Sequence, residues 1–163
     1  MVDGVALMDV TMNDPRIELA QLSSIPLISI GHPMNEINVP CIDTDFIEMG
    51  EMIMQTLCRN GHSRILFAGG KEIDYERNGG ANYLIRLRSS MHDAAARYKI
   101  HIDEEFTDED DFDAAENLLE RFISSENTAI VTQGGPLFLN NLVAATRQRG
   151  MKIPQDLSMI SAG

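Results

Sequence analysis

The sequence predicts an α/β fold with parallel strands, and three observations carry that prediction. Its strand candidates are unbroken apolar runs, such as those within RILFAGG (residues 64–70) and TAIVTQGG (residues 128–135). Runs of that kind suit strands covered by helices on both faces. Amphipathic helical patterns stand between them, and the junctions are short and marked by glycine.

The elements follow in order. DGVALMDV (residues 3–10) opens with a short apolar strand. NDPRIELAQLSS offers Asn13 or Asp14 as a cap, Pro15 at the first helical position, and Ile17, Leu19, Ala20 and Leu22 as an apolar face. IPLISIG (residues 25–31) is a strand that Pro26 can only begin. VPCID (residues 39–43) is a shorter one. Asp45 precedes FIEMGEMIMQTLCRN, where Phe46, Met49, Ile53, Met54 and Leu57 recur at helical spacing until Gly61 ends the pattern. RILFAGG is the next strand, followed by the helix NYLIRLRSSMHDAAARYK (residues 82–99). The acidic stretch DEEFTDEDDFD (residues 103–113) reads as a solvated loop whose last acids favour the start of the helix DAAENLLERFISS. The strand TAIVTQGG comes next. Pro136 and Gly150 punctuate a helix over PLFLNNLVAATRQRG, and IPQDLSMISAG carries the last strand.

Length and charge exclude several functions. The 163 residues suffice for one core or two small lobes. A net charge of −12 argues against this chain gripping DNA or an anionic membrane by itself. No apolar run is long enough to span a bilayer, and no secretory pattern follows Met1, so a cytoplasmic location is expected. Cys41 and Cys58 are expected to be plain buried thiols. Both ends look like interior points of a longer protein.

Catalytic chemistry is missing from the pattern. No G-x-S-x-G, H-E-x-x-H or C-x-x-C occurs, and His32, His62, His92 and His101 share no ligand spacing. AGGKE (residues 68–72) lacks the full phosphate-loop spacing. The chain reads as a binding module rather than an enzyme, with no cofactor and no metal.

Five segments resemble, in order, the effector-binding core of LacI/GalR-family transcription regulators. They are VDGVALM, IPLISIG, Asp45 with Gly50 five residues on, GHSRILFAGG, and TAIVTQGGPLFLNNLVAATRQRGMKIPQDLSMIS. The resemblance implies a periplasmic-binding-protein-like fold of two parallel-sheet lobes around a cleft, with the first lobe incomplete. Residues 1–60 would belong to the N-terminal lobe and 61–163 to the C-terminal lobe, with Gly61-His62 at the crossing. The family's helix-turn-helix lies outside this chain. The resemblance further implies a homodimer, a small-molecule effector (a sugar or sugar phosphate), and operator DNA bound only through that other module. A solute-binding protein of a sugar transport system shares the fold and is the alternative.

Candidate ligand residues also follow from the resemblance. Asp45 matches an effector-contacting position, and it equally suits an N-cap. The family's cleft arginine falls on Leu87, flanked by Arg86 and Arg88, of which at most one can point inward. Gly134-Gly135, beside Gln133, stand where the family commonly has Asn-Asp. The glycines would enlarge the pocket, and their N–H groups at a helix start could meet an anion. His62 is expected to be structural.

Overall fold

The computed structural model describes residues 2–33, 39–76 and 80–163. Two parallel sheets organise them. The first is small: β1 (Val5–Leu7), β2 (Leu27–Ile30) and β3 (Cys41–Ile42) lie in the order β1-β2-β3, with Val5 beside Leu27 and Ser29 beside Cys41. Helix α1 (Pro15–Gln21) connects the first two strands. Leu19, Leu22, Ile30 and Ile42 are exposed in this lobe, so it buries little of its own apolar surface. Cys41 is exposed and Cys58 half-buried, and both are free thiols. The expectation of two buried thiols therefore fails at Cys41, since none of the described residues buries the short β3.

The second sheet has four strands in the order β5-β4-β6-β7. These are β4 (Arg64–Gly69), β5 (His101–Phe106), β6 (Ala129–Thr132) and β7 (Ser158–Ser161). Four helices accompany it: α2 (Phe46–Arg59), α3 (Asn82–Tyr98), α4 (Phe112–Ile123) and α5 (Pro136–Gln148). The alternation of side chains along a strand explains the unbroken apolar runs. Ile65, Phe67 and Val131 face one core with Ile53, Met54 and Leu57 of α2 and Leu84, Leu87 and Met91 of α3. Leu66, Ala68 and Ile130 face the other with Leu118, Leu119 and Phe122 of α4 and Phe138, Leu142 and Ala145 of α5.

The acidic stretch is not a loop throughout. His101–Phe106 is an edge strand paired in parallel with β4, Asp103 lying beside Leu66. Its acids hide a strand from any hydropathy pattern, yet charge is what an edge strand tolerates. Each acid finds a cation on another element. Arg64 reaches Asp103 at 3.2 Å, Arg88 reaches Glu104 at 2.5 Å, and Arg121 reaches Glu105 at 3.0 Å.

The end of α2 has a specific chemistry. Gly61 adopts φ +83°, its N–H donates to Cys58 O, and His62 N–H donates to Leu57 O. That pair of bonds is a Schellman stop, which requires a left-handed residue. His62 Nδ1 lies 2.8 Å from Thr128 Oγ1, tying the stop to the amino end of β6. The helix itself packs into the core of the second sheet.

Candidate functional site

The carboxyl ends of parallel strands are where open sheets collect ligands, because loops there are free of the sheet's own pairing. A cavity of about 490 Å³ lies at the carboxyl ends of β1–β3. Its first-lobe wall comprises Asp9 to Thr11, Ile30 to His32, and Asp43. Its opposite wall comprises Phe46, Asp74 and the start of α3, Ala81 to Leu84. A backbone bridge between Thr11 and Ala81 joins the two sides.

Local sequence builds each wall. Asp9 takes a left-handed turn at φ 50°, and Asp14 then anchors the loop. Asp14 accepts from the Arg16 backbone N–H at 3.0 Å and from Arg16 Nε at 2.9 Å, while the same guanidinium donates to the carbonyls of Met8 and Asp9. The Arg16 guanidinium holds the Asp14 carboxyl down at about 2 against the cost of its burial. Across the cavity, the ring of Tyr83 tilts against Phe46 at 5.5 Å. Burial pushes the Tyr83 phenol up, and the negative charges of Asp74 and Asp9 add to this.

Asp43 joins the lobes electrostatically. Its carboxylate accepts from Arg86 at 2.8 Å and from His32 N–H at 3.0 Å. Both ionic side chains of this pair are about four-fifths buried, 18% and 19% exposed. Asn82 is 2% exposed, and neither its Nδ2 nor its Oδ1 has a hydrogen-bond partner among the described residues.

The residues singled out from the sequence do not gather in this cavity. Asp45 caps α2, accepting from Ile47 N–H at 3.2 Å and Glu48 N–H at 3.0 Å. Arg86 lines a neighbouring groove of about 860 Å³ along α2 and α3 and reaches the cavity through Asp43. Arg88 turns the other way, towards Glu104 on β5, with its guanidinium 5.4 Å from the Phe106 ring centre. Leu87 is fully buried in the core, so no arginine occupies the position the resemblance implies.

Gln133 and the two glycines stand at the carboxyl end of β6. Gln133 Oε1 accepts from Tyr75 Oη at 2.8 Å, while its Nε2 is buried without a partner among the described residues. Tyr75 is 5% exposed, and burial pushes its phenol up to about 12. A Cβ at Gly134 would lie 2.6 Å from the Phe138 ring. The room expected from the missing side chain there is therefore filled by Phe138. Gly135 has open space and starts α5 without a side-chain cap.

Sequence reasoning passed over Asp43, Asn82 and Tyr83. The usable sign was position: Asp43 ends a predicted strand, and Asn82 opens a predicted helix directly after a glycine-rich loop.

Comparison with known proteins supports the architecture. No protein-family profile matches the chain. It is 29% identical over 174 residues to the HTH-type transcriptional regulator AglR of Rhizobium meliloti (strain 1021). It is 22% identical over 162 residues to catabolite control protein A of Staphylococcus xylosus. These alignments take in 98% of this chain but 44% and 47% of the relatives, so the chain spans less than half their length. Among solved structures, a LacI family transcriptional regulator from Bifidobacterium animalis subsp. lactis DSM 10140 superposes with a TM-score of 0.81. That match has 21% identity and covers 98% of this chain and 57% of that one. The fold is that of a LacI/GalR-type regulator core.

Within this fold the motifs singled out from the sequence have physical reasons. Gly50, five residues after Asp45, sits where α2 crosses α3; a Cβ there would lie 2.8 Å from the side chain of Ser90. Gly61-His62 makes the Schellman stop. In IPQDLS, Asp156 accepts from Lys152 N–H at 2.8 Å and closes a turn that delivers Leu157, fully buried, into the second core. Among the described residues no helix is long and apolar enough to cross a membrane.

Proposed function

We propose that this chain is the ligand-sensing and dimerising core of a DNA-binding transcriptional repressor, and that its effector is a small sugar-like molecule. The observation that carries this reading is the cavity between the first-sheet strand ends and the start of α3, on a fold shared with LacI-family regulators. A cleft between two lobes can couple ligand binding to a change in their relative position. Operator contacts fall to a helix-turn-helix outside this chain, in keeping with the net charge of −12.

The lining favours a neutral effector over a phosphorylated one. Asp9, Asp43 and Asp74 bring carboxylates to the wall, and no lysine or arginine lines it among the described residues. Carboxylates accept from sugar hydroxyls and repel phosphate. The case for an anion at Gly134-Gly135 is also weaker, since Phe138 fills the space beside Gly134. AglR and the Bifidobacterium structure are named as transcriptional regulators, which does not favour a transport solute-binding protein.

The test is operator release. Full-length protein bound to its operator is titrated with neutral sugars and their phosphates in a gel-shift assay. Release by a neutral sugar, lost in an Asp43→Ala variant, supports the reading. Retained operator with every sugar sinks it.

A further inference from the structure

We propose that the second sheet carries a ligand position of its own and that the chain fills it from within, with the phenol of Tyr75. The ring stands where a hydroxylated aromatic ring would be held, and while it stays it keeps such ligands out. The proposal goes beyond the effector reading, since it concerns the strand ends of the second sheet and not the cavity at the first.

Tyr75 ends a single short helical turn, Glu72–Tyr75, that follows β4. Its ring lies over the carboxyl ends of β5, β4 and β6, which are neighbours in that order. At the end of β5, the Phe106 ring centre is 5.1 Å from that of Tyr75. At the end of β4, a Cβ on Gly69 would come within 3.0 Å of Tyr75 Oη. Directly after β6, Gln133 Oε1 accepts from Tyr75 Oη at 2.8 Å, and the Gln133 backbone N–H donates to Ala68 O at 2.9 Å. Ligands of open parallel sheets collect at these ends.

The surroundings are those of a ring-binding pocket. Phe67 meets the Tyr75 ring edge-on, 6.0 Å away at 88°, and Phe106 adds a second aromatic wall. Edge-to-face contacts of this kind are favoured between rings. The Arg88 guanidinium lies 6.0 Å from the ring centre, within reach of a cation–π contact. Gln133 supplies one acceptor for one hydroxyl. Glycine at 69 is part of the fit, since a Cβ there would also lie 2.7 Å from the Phe106 ring.

Anchoring the turn does not account for all of this. Tyr75 is the one buried residue from Lys71 to Glu76, so the turn needs an inward side chain there. A purely apolar one would serve that purpose. The phenol instead carries its hydroxyl across the strand ends to an amide on the far side of β4. Asp74, the residue before it, lines the first-sheet cavity, so one turn borders both positions.

Occupancy by the chain's own ring defines the ligand class. What fits is one aromatic ring with a hydroxyl that donates to Gln133. A ring of the same outline without the hydroxyl leaves the Gln133 oxygen without that bond and should bind more weakly. Either ring can enter only with Tyr75 displaced or removed, so the phenol acts as the gate of this position.

The test uses full-length protein and the variants Tyr75→Gly and Tyr75→Phe. The probe p-cresol reproduces the deleted side chain, and p-xylene has its outline without the hydroxyl. Thermal denaturation of each protein is followed against rising concentrations of both. In Tyr75→Gly, p-cresol is expected to raise the melting point by several degrees in a saturable way, and p-xylene to raise it less. Neither should raise that of wild type or Tyr75→Phe. No rise in Tyr75→Gly with p-cresol, or the same rise in wild type, overturns the proposal. Equal rises from the two probes overturn the hydroxyl selection and with it the ligand class. If Tyr75→Gly does not fold alone, refolding with p-cresol decides: recovery of a cooperative melt supports the proposal, and failure to recover overturns it. None of these outcomes touches operator release by sugars, so the effector reading stands or falls on its own test.

Discussion

Arg88 grips Glu104 through two hydrogen bonds, Nε to Oε1 at 2.7 Å and Nη2 to Oε2 at 2.5 Å. The pair fastens an acidic edge strand to helix α3. His92 adds a third contact to the same carboxylate at 2.9 Å. Burial raises the Glu104 carboxyl pKa, but the bonds from Arg88 and His92 outweigh it and hold the group below its usual range.

Arg88 should therefore matter for stability rather than for ligand. Arg88→Ala removes charge-assisted bonds and leaves Glu104 half-stranded, at a cost of about 1–3 kcal/mol. Urea denaturation should show the loss, with ligand affinity unchanged. Lost affinity at unchanged stability would instead place Arg88 in the site.

Arg86 and Asp43 should couple energetically, since one belongs to α3 and the other follows the first sheet. A double-mutant cycle of Arg86→Ala and Asp43→Ala is expected to give about 0.5–3 kcal/mol of coupling. Additive losses would mean the pair contributes nothing beyond its separate surroundings.

The two glycines before α5 should behave differently. Gly134→Ala places a methyl 2.6 Å from the Phe138 ring and should destabilise by about 1–3 kcal/mol. Pairing it with Phe138→Leu should recover part of that loss. Gly135→Ala meets nothing within 4 Å and should be close to neutral. Equal melting points for the two single variants would refute the packing account of Gly134.

Stability should fall on the acid side in a defined window. Asp14 titrates at about 2 in the fold, against an ordinary 3.8. A carboxyl with a depressed folded value stabilises fully above its unfolded value and loses that contribution as pH falls through the folded one. The Asp14 share should be complete above about pH 4–5 and vanish towards pH 2. Asp14→Asn should flatten this part of the stability–pH curve. An unaltered slope would show that Arg16 does not hold the carboxylate in solution.

Periodicity made the helices and central strands legible, because their burial is two-sided or one-sided in a regular way. Leu84, Leu87 and Met91 share a buried face as their spacing predicts. The edge strand was hidden because its partners are arginines from three elements, not apolar neighbours. The candidate site was less legible. Its walls come from residues far apart in the chain, and an unpaired amide such as Asn82 has no local pattern. Asp45 and Arg88 carried the right chemistry for a ligand, but one caps a helix and the other holds an edge strand.

The acidic border of the second sheet bears on self-association. Asp103, Glu104 and Glu105 stand where a foreign strand could add to β5. Paired to arginines, they stay ordered; being acids, they make the border a poor template for an approaching copy. Protonation of Asp103 and Glu104 would remove tether and repulsion together, and both carboxyls are held below their ordinary values. Only acid below the ordinary carboxylate range should thus loosen this edge and make it adhesive in one step, so that turbidity and loss of secondary structure begin at the same pH.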